Sequence, residues 1–311
     1  MSANHKRLPR SILIFGAAAH IGGPLAAFLT REAPSIRLRL STSDAAKVEP
    51  LRRAFPGADV VQASYHDLSS LMLAADGMEG VFVLTTTGTD ERPAMTNLVS
   101  ALESAGTLVH LIRLLGMQPE ANLARIPPSL RDHGLGLPIQ HPIAKTVLDE
   151  SGLPVTYLNS GATFMDNFLN MKEGLRNSGT LIWPERLIPY IDPRDIAEVA
   201  GRLFLSDNHR HIGQFHTMNN GQDILRFHEV AQMMSELWDR PIAHDGSKEA
   251  FFRAYPQMAE TRRHYLWDFF QYEQDNEVVW ARNDFVERML GRKPCSLREW
   301  LIEHRDVLLG E

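Results

Sequence analysis

The chain has 311 residues, 44% of them apolar and 23% charged, with a formal net charge of −6. That balance excludes wholesale disorder, and an acidic chain without a dense Lys/Arg run is a poor match for a nucleic-acid polyanion. Cys295 is the single cysteine, so no internal disulfide can form and a reducing, cytoplasmic setting is expected. The polar opening Asn4-His5-Lys6-Arg7 does not read as a signal peptide, and no apolar run reaches the length of a bilayer span. Neither a membrane nor a nucleic acid is an expected partner.

Ile12-Leu13-Ile14-Phe15 is an uninterrupted apolar run ending at a glycine, the pattern of a strand buried on both faces of a parallel sheet. A helix is predicted over Ile21–Arg31, with Leu25, Phe28 and Leu29 on one stripe. A second strand covers Ile36–Leu40 and runs into Ser41-Thr42-Ser43, after which Asp44 is placed to cap a helix carrying Val48 and Leu51. Val60-Val61 make a third strand, Leu68–Ala75 a short helix capped by Asp67 or Ser69, and Gly80–Leu84 a fourth strand meeting Thr85-Thr86-Thr87-Gly88. Met95–Ala105 is predicted helical, Leu108–Ile112 a fifth strand, His141–Ser151 a helix and Val155–Leu158 a sixth strand. The intervening Gly116–Gly136 stretch is too long for a simple connection and is expected to be functional.

Beyond about residue 160 the alternation weakens. Ile188–Ile191 and Phe215–Met218 read as strands, Asp195–Leu205 and Phe227–Leu237 as helices, and the rest as mostly helical. The expectation is an α/β chain: a doubly wound parallel sheet over residues 1–160, and a smaller α/β substrate lobe over 161–311 that interleaves with it.

Between the first strand and the first helix stands Gly16-Ala17-Ala18-Ala19-His20-Ile21-Gly22. A strand that turns sharply into a helix presents main-chain N–H groups and the positive end of the helix dipole. Glycine serves where the backbone approaches a diphosphate or takes a positive φ. Gly16 is therefore read as the turn and Gly22 as the close-packing position, with Ala18, Ala19, His20 and Ile21 along the phosphates. Following a strand and opening a helix among βαβ units, this is a Rossmann-type dinucleotide turn. A turn kept only for packing is the other reading.

At these residues the chain resembles the NmrA-like family of atypical short-chain dehydrogenases. The resemblance runs through Ile14-Phe15-Gly16 to Gly22, Leu68-Ser69-Ser70-Leu71, Gly80-Val81-Phe82, and Lys145 to Thr156. It continues in Phe164-Met165-Asp166-Asn167, Ile191-Asp192-Pro193-Arg194-Asp195, and Leu290-Gly291-Arg292-Lys293-Pro294. It implies NADP(H) or NAD(H) at the C-terminal strand ends, in members that are either small-molecule oxidoreductases or dinucleotide-sensing regulators. Where NADP-preferring members often carry an arginine after the second strand, this chain has Ser43. No carboxylate for an NAD ribose appears there either, so Thr42 and Ser43, with Arg39 or Lys47 supplying charge, favour NADP(H) over NAD(H). Ser64 takes the place usual for an aspartate near the adenine.

The resemblance also implies a tyrosine four residues before a lysine. Here the pair is His141 and Lys145, one helical turn apart and able to share a face. Imidazole titrates near pH ~6.5, so His141 is a candidate proton donor, although a histidine before a proline also suits an ordinary helix start. Lys145 is a candidate for the nicotinamide ribose, or a surface lysine. The fifth strand ends without a serine. Instead it carries Arg113, read either as a clamp for an anionic substrate group or as the partner of an acid such as Asp192.

Thr85, Thr86 and Thr87 are candidates for ribose or diphosphate contact, and Arg113, Asn159 and Phe164 for substrate contact. Aromatic residues from Phe251 to Phe270 either wall a pocket or pack the lobe. His209, His211, His216 and His228 have no regular metal-ligand spacing, and no metal is expected. The leading functional expectation is NAD(P)H-dependent reduction of a small, moderately apolar carbonyl or conjugated alkene, with substrate between His141, Arg113 and the C-terminal lobe. The alternatives are an NADP(H)-sensing regulator without turnover and, third, a non-redox lyase or isomerase.

Overall fold

The computed structural model describes residues 5–118, 123–134 and 136–311. Part of the long loop singled out above, and Asn4, lie outside them. The elements up to residue 160 are β1 (Ser11–Phe15), α1 (Gly22–Glu32), β2 (Arg37–Thr42), α2 (Val48–Ala54), β3 (Asp59–Gln62), α3 (Leu68–Ala75), β4 (Gly80–Val83), α4 (Glu91–Ala105), β5 (His110–Leu115), α5 (Pro128–Arg131), α6 (Leu137–Glu150) and β6 (Val155–Ser160). Then follow β7 (Thr163–Phe164), α7 (Lys172–Ser178), β8 (Thr180–Ile182), β9 (Leu187–Ile191), α8 (Pro193–Leu205), β10 (Phe215–Met218), β11 (Ile224–Arg226), α9 (Phe227–Trp238) and β12 (Ala243–Asp245). The chain ends in α10 (Lys248–Ala254), α11 (Glu260–Asp275), α12 (Phe285–Leu290), α13 (Leu297–Glu303) and α14 (Arg305–Leu309). No described helix is long and apolar enough to cross a membrane.

A seven-stranded sheet runs in the order β10-β6-β5-β4-β1-β2-β3, and β1 to β6 pair in parallel. Every residue of β1, β4, β5 and β6 is buried, which explains the apolar runs of β1 and β4 and means that the polar side chains of β5 and β6, Arg113 and Asn159 among them, are enclosed as well. Alternate side chains feed two layers. Leu13, Phe15, Val81, Val83, Leu111 and Tyr157 join a core with Leu71, Met95, Leu98, Ala144 and Leu148 of α3, α4 and α6. On the other face α1 packs on α8, close enough that a Cβ on Gly201 would collide with the Phe28 ring. This is the doubly wound α/β sheet expected, and its reversal of strand order between β1 and β4 opens the usual ligand crevice at the C-terminal strand ends.

Two helices begin a turn earlier than their apolar pattern predicts. α4 starts at Glu91 rather than Met95 and α6 at Leu137 rather than His141. In both, a proline (Pro93, Pro138) occupies the first turn, where a missing N–H costs nothing. His141 is therefore a residue of the helix interior, not of its start.

The contacts divide the chain into two compact units, one of residues 1–117, 135–160 and 193–217, the other of 118–134, 161–192 and 218–311. The break placed after residue 160 is one of the points where the chain passes between them. The second unit holds the sheets β11-β9-β7 and β12-β8 around Phe168, Tyr190, Phe227, Met234 and Trp300. Its aromatic segment packs inward: Phe251, Tyr255 and Phe270 are buried and converge on Trp183. Arg186 lies between the Phe227 and Phe270 rings, 4.9 and 4.2 Å from their centroids, and meets the buried Glu273 carboxylate at 2.6 Å.

Candidate active site

The turn after β1 is built as a phosphate seat requires. Gly16 sits at φ +66°, a left-handed conformation that favours glycine. The Ala17 N–H donates to the Ser41 carbonyl of β2 at 3.2 Å, and the Ala19 N–H closes the turn on the Gly16 carbonyl at 2.9 Å. At Gly22 a Cβ would meet the Gly16 carbonyl group, with its carbon at 2.8 Å and the Ala17 Cα at 2.9 Å, all of it backbone. Hydrogen alone lets α1 start that close to β1. The helix N-cap, Ile21, makes no side-chain cap bond, and the first turn of α1 carries no acid. The first turn of α1 thus supplies no carboxylate of its own to the positive helix end, while Ala18, Ala19 and His20 are exposed beside it.

At the end of β2, Thr42 Oγ1 accepts from the Asp44 N–H at 3.2 Å, the Ser43 carbonyl accepts from Gln62, and Ser43 and Lys47 are exposed. Arg39 is engaged elsewhere. It meets Asp59 at 2.6 Å and donates to the carbonyls of Leu73, Ala74 and Asp76, closing the C-terminus of α3. The expectation of Arg39 as a 2′-phosphate partner is corrected accordingly, and Lys47 is the other candidate cation at that strand end. Ser64 is held in a local turn, its N–H on Ser70 Oγ and its Oγ accepting from His66 N–H. Asp67 caps α3, as one of the two expected candidates.

The C-terminal ends of β4 and β5 are joined by a buried polar node. Arg113 is 0% exposed, and its Nη2 lies 2.6 Å from Glu91 Oε1 and 2.8 Å from Thr85 Oγ1; the Thr85 hydroxyl also donates to Glu91. Of the two readings of Arg113, the structure bears out pairing with an acid, which is Glu91 at the start of α4 and not the example Asp192. A guanidinium enclosed in this way has no exposed donor for a substrate anion, so the clamp role is revised. Thr85 belongs to the same node, whereas Thr86 and Thr87 are exposed.

His141 borders the node. Its Nδ1 accepts the Gly116 N–H at 2.7 Å, which places the ring proton on Nε2, 4.0 Å from Glu91 Oε1. Burial, with the nearby Arg113 charge, lowers its pKa from 6.5 to about 3. The expectation of an imidazolium donor at neutral pH is corrected by that environment: the ring is neutral. One turn on, Lys145 Nζ lies 2.5 Å from Asp149 and 4.8 Å above the Tyr157 ring, whose hydroxyl donates to the same carboxylate at 2.7 Å. Asn159, fully buried, holds both backbone groups of Met117. Its amide is thus spent on the loop rather than turned to a substrate. Phe164 is half-buried in β7 of the second unit.

Glu91, Gln140 and Asp149 went unnoticed in the sequence. Glu91 sits in Asp90-Glu91-Arg92-Pro93, which reads as a solvated helix start. The usable signal was Arg113 itself, since a lone arginine in an apolar strand demands a buried acid.

The NmrA-like family model matches residues 9–301. The chain belongs to the NmrA-like family. It is 26% identical over 314 residues to a (4-alkanoyl-5-oxo-2,5-dihydrofuran-3-yl)methyl phosphate reductase of Streptomyces griseus subsp. griseus, covering 96% of this chain and 100% of that one. It is also 26% identical over 235 residues to an NAD(P)H azoreductase of Xenophilus azovorans, covering 75% of this chain and 76% of the relative. Among solved structures, the triphenylmethane reductase of Citrobacter sp. complexed with NADP(H) superposes with a TM-score of 0.77 at 20% identity, over 94% of this chain and 99% of that one. At that identity the likeness shows a shared fold.

Proposed function

We propose that this NmrA-like protein is an NAD(P)H-dependent reductase of a small, moderately apolar acceptor, a carbonyl or conjugated alkene, and that NADP(H) is the preferred coenzyme. The observation that carries the reading is the β1–α1 turn, where an uncapped helix end meets backbone packed so closely that only Gly22 fits. The reductase relatives of similar length support it.

Bound there, the coenzyme would supply hydride. The protein's part is binding and orientation. The main-chain amides of Ala18 and residues 20–22 would face the diphosphate, with the Ala19 amide closing the turn, and Thr42, Ser43 and Lys47 would take the adenosine ribose and its 2′-phosphate. Thr86 and Thr87 serve the nicotinamide half. Lys145 has three N–H donors and spends one on Asp149, so the others remain for ribose hydroxyls. Because His141 is neutral at pH 7, the proton that completes reduction is assigned to water.

The test is thermal shift with NADPH, NADP+, NADH and NAD+. Ligand at a hundred times its dissociation constant adds about 2.7 kcal/mol, with the largest shift expected for the 2′-phosphorylated forms. No shift with any of the four would overturn the reading. The neutral, inward-turned His141 favours a second possibility, an NADP(H)-sensing regulator. That reading predicts different affinities for NADP+ and NADPH with no NADPH consumption across a panel of quinones, azo compounds and conjugated alkenes.

A further inference from the structure

Resting on the coenzyme reading above, we infer that Glu91 and Arg113 are positioning residues that set the loop after β4, which serves the nicotinamide half of the dinucleotide, together with Gly116 at the end of β5. Four observations converge on one buried point. Arg113 Nη2 holds Thr85, the second residue after β4 on the strand-end loop. Glu91 Oε1 receives both that guanidinium and the Thr85 hydroxyl. The Glu91 N–H donates to Gln140 at 2.8 Å, fixing the start of α4 to α6. The next residue of α6, His141, accepts the Gly116 N–H and so fixes the loop after β5.

β4 and β5 are adjacent in the sheet, so the node governs the C-terminal ends of two neighbouring strands. Its construction is a poor one for stability alone. Glu91 Oε2 and Arg113 Nε and Nη1 are buried without a hydrogen-bond partner, and a buried ion pair is often matched or exceeded by apolar side chains of similar volume. What apolar side chains would not reproduce is the short, directed reach from Arg113 to Thr85. Geometry, rather than stability, is what the pair provides.

The experiment compares wild type, the double variant Glu91→Leu/Arg113→Leu and the milder Glu91→Gln, each titrated with NADPH and with adenosine 2′,5′-bisphosphate, a fragment that carries only the adenosine end. The inference expects the double variant to melt near wild type, to bind the bisphosphate within twofold, and to bind NADPH at least tenfold more weakly, with Glu91→Gln intermediate. Equal NADPH affinity in a folded double variant overturns the inference and leaves the coenzyme reading intact. Equal weakening of both ligands overturns it too, because the node would then act through the whole fold. Should the double variant fail to fold, Glu91→Gln decides by the same ratio. Wild type that binds neither ligand defeats the coenzyme reading first, and this inference with it.

Discussion

Gly22 and Gly23 are neighbours at the start of α1, and the structure predicts opposite outcomes for replacing them with alanine. A Cβ on Gly22 collides with three backbone atoms of Gly16 and Ala17 that no rotamer change can move. Either α1 shifts away from β1 or the turn opens. Forcing a methyl group into a well-packed site costs about 1–3 kcal/mol, and rigid backbone neighbours put this case at the upper end. At roughly 2–4 °C per kcal/mol for a large domain, Gly22→Ala should melt about 6–12 °C lower. The same displacement moves the amides proposed to hold the diphosphate, so NADPH should no longer raise the melting temperature.

At Gly23 the one neighbour is the Ala17 carbonyl oxygen at 3.4 Å, an ordinary contact. Alanine is the better helix former by up to about 1 kcal/mol, so Gly23→Ala should melt at or slightly above wild type and keep its coenzyme response. The assay is differential scanning fluorimetry with and without NADPH. Two equally damaged variants, or a Gly22→Ala protein that melts and binds as wild type, would refute the packing argument.

Other expectations concern charge. His110 and His141 both have pKa values lowered to about 3, chiefly by burial. Since the unfolded chain protonates them near 6.5, it binds more protons than the folded one between those limits, and stability falls as pH drops from about 6.5 towards 3. The slope reaches roughly 1.4 kcal/mol per pH unit for each ring, so urea titrations of His141→Gln should show a shallower fall; an unchanged slope would count against a neutral buried ring. Arg39→Met should lower the melting temperature through its lost bonds to Asp59 and the end of α3, yet leave the ratio of NADPH to NADH affinity untouched. Lys47→Ala should do the reverse, and matched affinity ratios in the two variants would remove Lys47 from the 2′-phosphate. In the second unit, Arg186→Met strands Glu273 as a buried unpaired acid at a cost of about 3–5 kcal/mol. Adding Glu273→Leu should restore much of that loss, as chemical denaturation would show.

The sheet was legible because its strands are buried on both faces: Ile12–Phe15 and Gly80–Val83 admit no other reading at that length. Helix ends were less so. Pro93 and Pro138 look like breakers in an apolar pattern, although they sit comfortably in a first turn. The strands β7, β8, β11 and β12 are two or three residues long, too short for any alternation to register. The glycine turn was visible in residue type alone. The node around Arg113 was only half visible, because its acid comes from a segment whose charges give no hint of burial. His141 showed its spacing in the sequence, while its protonation depended on burial and on the Arg113 charge beside it, neither of which spacing reveals.

The seam between Gly201 and Phe28 has a consequence for how the polypeptide matures. α1 is synthesised well before the helix that packs against it, which comes from residues 193–205. A nascent chain stopped at Ser160 would therefore hold six strands with one flank still wet. Limited proteolysis of ribosome-stalled intermediates should find α1 vulnerable until α8 has cleared the exit tunnel, and protected soon afterwards.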